Sequence, residues 1–280
     1  MDGQDCLDFL QRISTNDVLS VGQDRPVRTI LTNEKGRLVD LVTVVKRGDG
    51  GVLLLGESEK SSLLQSWIEK YVIMEDIRCK DVTGSFVQLL VYGFEGSPRG
   101  PLFDSVTERF LIVDEMWRDC RMSRLLMDPS MKETAESELS RSGTQPSAWE
   151  RYDEFRINHG IPASPSELSV SYNPLEAGLE DLISWTKGCY IGQEVIARLD
   201  TYKKVQKRLV RLNMEELPQN LPAMILSADT ECGTITSARR SSDSGKVNGL
   251  GYLKTNMDLE GAGLFFFLSD GTKVPVIVGH

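Results

Sequence analysis

Histidine is the scarcest chemically useful residue in this chain: of 280 residues only His159 and the terminal His280 are histidine. A Ser-His-Asp triad would have to rest on His159, and a multi-histidine metal site is all but excluded. His159 reads most simply as a loop or helix-end residue. Cysteine is sparse as well. Cys6, Cys79, Cys120, Cys189 and Cys232 make an odd number, and no two stand in a Cys-x-x-Cys pair. That pattern points to a reducing compartment with no disulfide framework and no zinc ribbon, and it does not support a conventional stable iron–sulfur ligand set. No metal ligands are expected. There is no apolar run of membrane length and no basic, apolar leader. The expectation is a cytoplasmic protein without a membrane partner. Positive charge is in deficit too: the net charge of −9 argues against broad nucleic-acid binding, which needs phosphate neutralisation. Lys203, Lys204, Lys207, Arg208 and Arg211 form a local basic cluster, read as a solvated face or strand edge.

What is present suits two or three ordinary packed cores. Cys6, Phe9, Leu10 and Ile13 fall at helical spacing. Val27–Leu31 and Leu38–Val45 read as strands joined at Asn33-Glu34-Lys35-Gly36, and Val52–Leu55 as the next strand. Leu63, Leu64, Trp67, Ile68 and Tyr71 again have helical spacing. Val72–Val82, Phe86–Tyr92 and Leu111–Val113 read as strands, the last following Phe103–Phe110. Residues 128–147 are polar, a helix opened by Pro129 and closed near Gly143. Another helix runs through Trp149, Tyr152, Phe155 and Arg156. From Leu209 the pattern changes to short strands with glycine turns, and Asp270-Gly271 marks a hairpin. The pattern gives a body of strands and helices over residues 1–207 and a small C-terminal β-barrel over 208–280, and by itself leaves the body open between a split α+β fold and a parallel sheet.

The densest chemistry lies in Lys187-Gly188-Cys189-Tyr190-Ile191-Gly192-Gln193-Glu194. Eight residues bring together a thiol, a cation, a carboxamide and a carboxylate, with two glycines for backbone freedom. A helical pattern follows at once. Cys189 is expected just before a helix N-terminus and beside Lys187, and both features favour thiolate over thiol. The plainer reading is a tight turn with an inert cysteine. Asp40 sits in Leu38-Val39-Asp40-Leu41-Val42, a strand apolar on both faces. A carboxylate there is costly unless it is hydrogen-bonded or paired. It serves either a backbone group or arginine, or a bound heterocycle. Asn16 and Asp17 fit a turn after the first helix as well as a ligand contact. Glu194 and Arg198, four apart, are explained by a plain helical salt bridge. Trp149, Tyr152 and Trp185 read as core, and Glu176 as a loop carboxylate of undecided role.

Lys-Gly-Cys-Tyr-x-Gly-Gln-Glu-x-x-x-Arg resembles the signature of the YgfZ-type folate-binding proteins, relatives of the glycine-cleavage T-protein, an aminomethyltransferase. Further blocks resemble that family in order along the chain: Phe9-Leu10-Gln11 with Thr15-Asn16-Asp17-Val18, Asn33 to Asp40, Arg156-Ile157 with Gly160-Ile161-Pro162, Gly233 to Ser237, and Gly249 to Tyr252. The resemblance implies an α+β body of two interlocked ferredoxin-like units followed by the barrel, and a further strand ahead of Gly3, so that the expectation is either a chain that begins late or a start that is drawn short. It implies tetrahydrofolate in a central pocket. Cys189 and Asp40 would be its reactive groups, and Asn16, Asp17, Arg156, Lys187, Gln193, Glu194 and Arg198 its contacts. Iron–sulfur assembly or client proteins would be the partners. Two departures count against the transferase itself. Asn158 stands where the T-protein pattern has a glutamate, and Gln193 where it has an arginine. Three readings follow: a folate-binding protein supporting iron–sulfur cluster assembly or repair, a folate-dependent aminomethyltransferase, and a non-catalytic interaction module.

Overall fold

The computed structural model describes residues 1–23, 25–58, 61–94, 110–117, 120–255 and 263–279. The expected stretch over residues 103–109 lies outside them. The chain forms two compact units, one discontinuous (Met1–Lys80 with Pro162–His280) and one continuous (Asp81–Ile161).

The first unit opens with helix α1 (Cys6–Ile13), which buries the four apolar positions of its periodic stripe, Cys6, Phe9, Leu10 and Ile13. Strands β1 (Val27–Thr32), β2 (Leu38–Lys46) and β3 (Val52–Gly56) form an antiparallel sheet in the order β1-β2-β3. The register places Asp40 opposite Leu31, and Val42 opposite both Thr29 and Gly56. The β1–β2 turn is held by Asn33, whose Oδ1 accepts the amides of Lys35 and Arg37, each at 3.0 Å. Helix α2 (Ser61–Glu69) follows. Phe9, Leu10 and Ile13 pack with Val42, Val44 and Ile68 into one core, each large side chain contributing about 1.5–3 kcal/mol. Every residue from Asp40 to Val45 is buried, as the two-sided apolar pattern requires. Residues 72–82 do not form the expected strand. Glu75 turns its carboxylate back onto the amides of Ile73 and Met74, and this local bonding displaces a ladder.

The second unit holds β4 (Val87–Tyr92), β5 (Leu111–Trp117) and β6 (Cys120–Met127) in the antiparallel order β4-β6-β5, then α3 (Lys132–Arg141) and α4 (Trp149–Asn158). Ile112, Leu125, Met127, Ala135 and Leu139 build its core. Asp128 caps the turn that leads to α3 by accepting the Ser130 amide at 2.9 Å.

The chain then rejoins the first unit, with α5 (Gln193–Thr201) and six strands: β7 (Lys207–Met214), β8 (Ala223–Ser227), β9 (Thr230–Arg240), β10 (Val247–Lys254), β11 (Leu264–Phe267) and β12 (Lys273–Gly279). These close into a barrel in the order β10-β7-β12-β11-β8-β9. A buried carboxylate fastens the barrel to the preceding segment. Glu167 accepts hydrogen bonds from the Ala163 amide and from the hydroxyls of Thr236 and Ser237, while the Tyr252 hydroxyl donates to its carbonyl. Among the described residues no helix is long and apolar enough to cross a membrane.

Candidate functional site

Asp40 is buried in the middle of the first sheet, with 3% of its surface exposed. Its two oxygens differ. Oδ1 accepts the amides of Glu57 and Ser58 at 3.1 and 3.2 Å, and so ties down the chain as it leaves β3. Oδ2 has no hydrogen-bond partner among the described residues. A buried oxygen left without a donor is costly and calls for an explanation. Burial pushes the carboxyl up to about 6, against the smaller opposing pull of the Ser58 side chain and the Glu57 amide. The group thus changes protonation close to neutral pH. Gly56 makes room for it: a methyl there would lie 2.8 Å from Oδ2 and 3.0 Å from the Leu64 side chain.

The signature segment lies against the same sheet, at the β1–β2 turn. Gly192 has φ +84, and a Cβ on it would lie 2.6 Å from the Asn33 carbonyl oxygen, 2.9 Å from Thr32 Oγ1 and 3.0 Å from Gly36 Cα. Only glycine fits. Thr32 Oγ1 donates to the Ile191 carbonyl at 2.6 Å, and the Ile191 amide donates to the Arg12 carbonyl at 3.2 Å. Lys187 is half-buried and donates to the carbonyls of Ser14 and Asn16 at 2.7 and 2.6 Å. Its burial lowers it to about 8, with Asp17 pulling the other way. The ammonium also lies 5.4 Å from the centre of the Tyr190 ring. Cys189 is exposed, and α5 begins four residues later. The cation expected to sit beside the thiol is held by carbonyls instead.

Comparison with known proteins bears on this arrangement. No family model matches the chain. It is 26% identical over 272 residues to a putative chloroplastic transferase of Arabidopsis thaliana, covering 90% of this chain and 62% of that one. It is 26% identical over 247 residues to an aminomethyltransferase of Aquifex aeolicus, covering 83% of this chain and 66% of the other. The chain thus spans about two thirds or less of these relatives' length. The glycine cleavage system aminomethyltransferase T of Bartonella henselae superposes with a TM-score of 0.78 at 16% identity, covering all of this chain and 81% of that one. The chain has the aminomethyltransferase T fold. The sequence likeness to aminomethyltransferases runs over most of its length.

The remaining sequence candidates are placed as follows. Asn16 spends its side chain on its own loop: Nδ2 donates to the Arg28 carbonyl and Oδ1 accepts the Asp17 amide. Asp17 accepts from Gln11 Nε2 at 3.0 Å. Gln193 is the first residue of α5, its amide donating to the Tyr190 carbonyl. Glu194 and Arg198 pair at 2.7 Å on the exposed side of α5. Arg156 lies in the second unit, buried, with Nε 2.6 Å from Asp153. The expectation of core positions for Trp149 and Trp185 is corrected: they are 65% and 48% exposed. Trp149 opens α4 on the solvent side, and Trp185 lies in the irregular run before the signature. Glu176 resolves as a fastening: buried, it accepts from Arg37 Nη1 at 3.1 Å and from the Asn173 amide at 3.0 Å. Gly56 is the position that sequence reasoning missed. A glycine ending a strand carries no sequence signal of the carboxylate oxygen that its missing side chain makes room for.

Proposed function

We propose that this chain binds a reduced folate of the tetrahydrofolate class, with Asp40 as the group that hydrogen-bonds the pterin. One observation carries the reading, the buried Oδ2 of Asp40, which has no hydrogen-bond partner among the described residues. A pterin offers ring N–H and amino donors to such an oxygen. A carboxyl shifted toward neutrality can also donate once protonated. The residues present therefore fit the ligand that the fold implies. The names of the aminomethyltransferase relatives support the one-carbon direction. Lys187 would position the Ser14–Asp17 connection rather than meet the ligand with its full charge, and Gln193 would present its amide from the start of α5. Asn16 and Asp17 would act at the rim, and Glu194 and Arg198, paired in solvent, would lie outside it. Residues 1–207 would form the folate-binding body and 208–280 the barrel domain.

The finer reading is a role in iron–sulfur cluster assembly or repair, with the exposed Cys189 as the reactive thiol. It rests on the signature segment and on Asn158 and Gln193, neutral where the transferase pattern is charged. Aminomethyl transfer is the second reading, favoured by the relatives that bear that name. Calorimetric titration of the purified chain with tetrahydrofolate tests the binding, and saturable binding is expected. Complementation of a deletion strain then separates the roles. Wild-type protein should restore iron–sulfur enzyme activity and Cys189→Ser should not. Robust turnover of an aminomethylated lipoyl carrier would replace the first reading with the second.

A further inference from the structure

The second unit holds a juxtaposition that the folate reading does not use. Cys120 opens β6 and pairs with Trp117 of β5. His159 follows the last residue of α4, and its amide donates to the Phe155 carbonyl at 3.1 Å. The His159 ring rests on the Phe155 ring, with centroids 4.4 Å apart. Thirty-nine residues separate the two in sequence, yet Cys120 Sγ lies 2.6 Å from His159 Nδ1. A helix end does not require a thiol against its imidazole, and a cysteine filling space does not require a base. A nucleophile in hydrogen-bond contact with a base held by a third group is the arrangement of an activated thiol.

We propose that Cys120 and His159 form a base-assisted thiol that reacts with small disulfides. The thiol proton moves to Nδ1 as Sγ attacks one sulfur of the disulfide. The S–S bond breaks, and the other sulfur leaves with the electron pair and takes the proton back from the imidazole. One mixed disulfide and one free thiol result, and the small disulfide is the only co-reactant. Cys120 is 8% exposed and His159 is half-buried, so the site takes low-molecular-weight reagents rather than a protein disulfide. It involves neither Asp40 nor Cys189, so it stands or falls apart from the folate reading.

The test uses the full chain carrying Cys189→Ser, which removes the exposed thiol. The protein is treated at pH 7 with the small aromatic disulfide 5,5′-dithiobis(2-nitrobenzoate). Thiolate release is followed, and the modified cysteine is mapped by mass spectrometry. The first phase should map to Cys120, ahead of the half-exposed Cys79. In the His159→Asn variant the amide oxygen can hold the thiol but cannot take up its proton. The Cys120 phase should then slow by about a hundredfold, within the usual range for a general base. Modification of Cys79 first, reaction of Cys120 only after denaturation, or an unchanged rate in a folded His159→Asn protein would each overturn the proposal. If His159→Asn does not melt cooperatively, the order of Cys120 and Cys79 in the Cys189→Ser protein decides.

Discussion

The signature segment and strand β2 make opposite use of their polar groups. Residues 187–194 carry the densest set of reactive side chains in the sequence, yet most of that set is spent on architecture. Lys187 is held by two carbonyls, Ile191 is clasped at both its amide and its carbonyl, Gly192 sits against the β1–β2 turn, and Glu194 pairs with Arg198 in solvent. Asp40, a single acid in an apolar strand, keeps one buried oxygen without a hydrogen-bond partner among the described residues. The lesson is that a site is marked less by how many reactive residues a segment has than by which polar atoms the fold leaves unsatisfied. Glu167 sharpens the point: it is more deeply buried than Asp40, and it meets an amide and two hydroxyls.

That contrast can be attacked from both sides. The largest effect is expected on the architectural side. Gly192→Ala places a side chain at φ +84 and against the Asn33 carbonyl. It should cost about 3–4 kcal/mol, from a left-handed penalty plus overpacking, read as a lower denaturant midpoint.

On the other side, Asp40 predicts a pH signature. Its folded value of about 6 lies above the ordinary 3.8, so the folded state favours the protonated form. The stabilisation is complete below the unfolded value and is lost as pH rises through about 6. Relative to Asp40→Asn, wild-type stability should fall by about 3 kcal/mol between pH 3.5 and 7, at roughly 1.4 kcal/mol per pKa unit. Parallel stability curves for the two proteins would place the carboxylate in a well-solvated or fully paired setting.

Lys187→Met strips donors from two carbonyls and should cost about 2 kcal/mol, read as a lower denaturant midpoint. The smallest effect is reserved for Arg198→Ala. An exposed helical pair contributes about 0.3–0.5 kcal/mol, so both stability and tetrahydrofolate affinity should stay near wild type. A large loss of affinity there would bring the outer face of α5 into the site.

Much of this was legible from residue spacing. The α1 stripe, the Asn33–Gly36 turn, the two-sided burial of β2 and the Asp270-Gly271 hairpin all follow from periodicity and turn chemistry. Strand β6 was not legible. Arg121 and Arg124 break its apolar pattern, and only the fold reveals that Arg124 is buried against Glu115 on β5, Nε to Oε1 at 3.1 Å. The false strand over 72–82 had the opposite cause. Ile73 and Met74 are apolar but 85% and 92% exposed, on a turn locked by Glu75, whose carboxylate also meets Arg12 at 2.9 Å. At the candidate site, sequence singled out Asp40 through the cost of burying it. The difference between its two oxygens depends on the amides of residues 57 and 58, which are remote in sequence and brought close by the β2–β3 pairing.

The central claim is that Oδ2 of Asp40 completes its hydrogen bonding with a ligand. Calorimetric titration of wild-type, Asp40→Asn and Asp40→Ala proteins with tetrahydrofolate at pH 7 tests it most directly. Loss of a charged hydrogen-bond partner costs about 1.5–3 kcal/mol. Affinity should therefore drop by roughly one to two orders of magnitude in Asp40→Ala, and by less in Asp40→Asn, whose amide oxygen can still accept. Equal affinities in wild-type and Asp40→Ala proteins, or no binding by the wild type, would contradict the account and leave Asp40 as the tether of residues 57 and 58 alone.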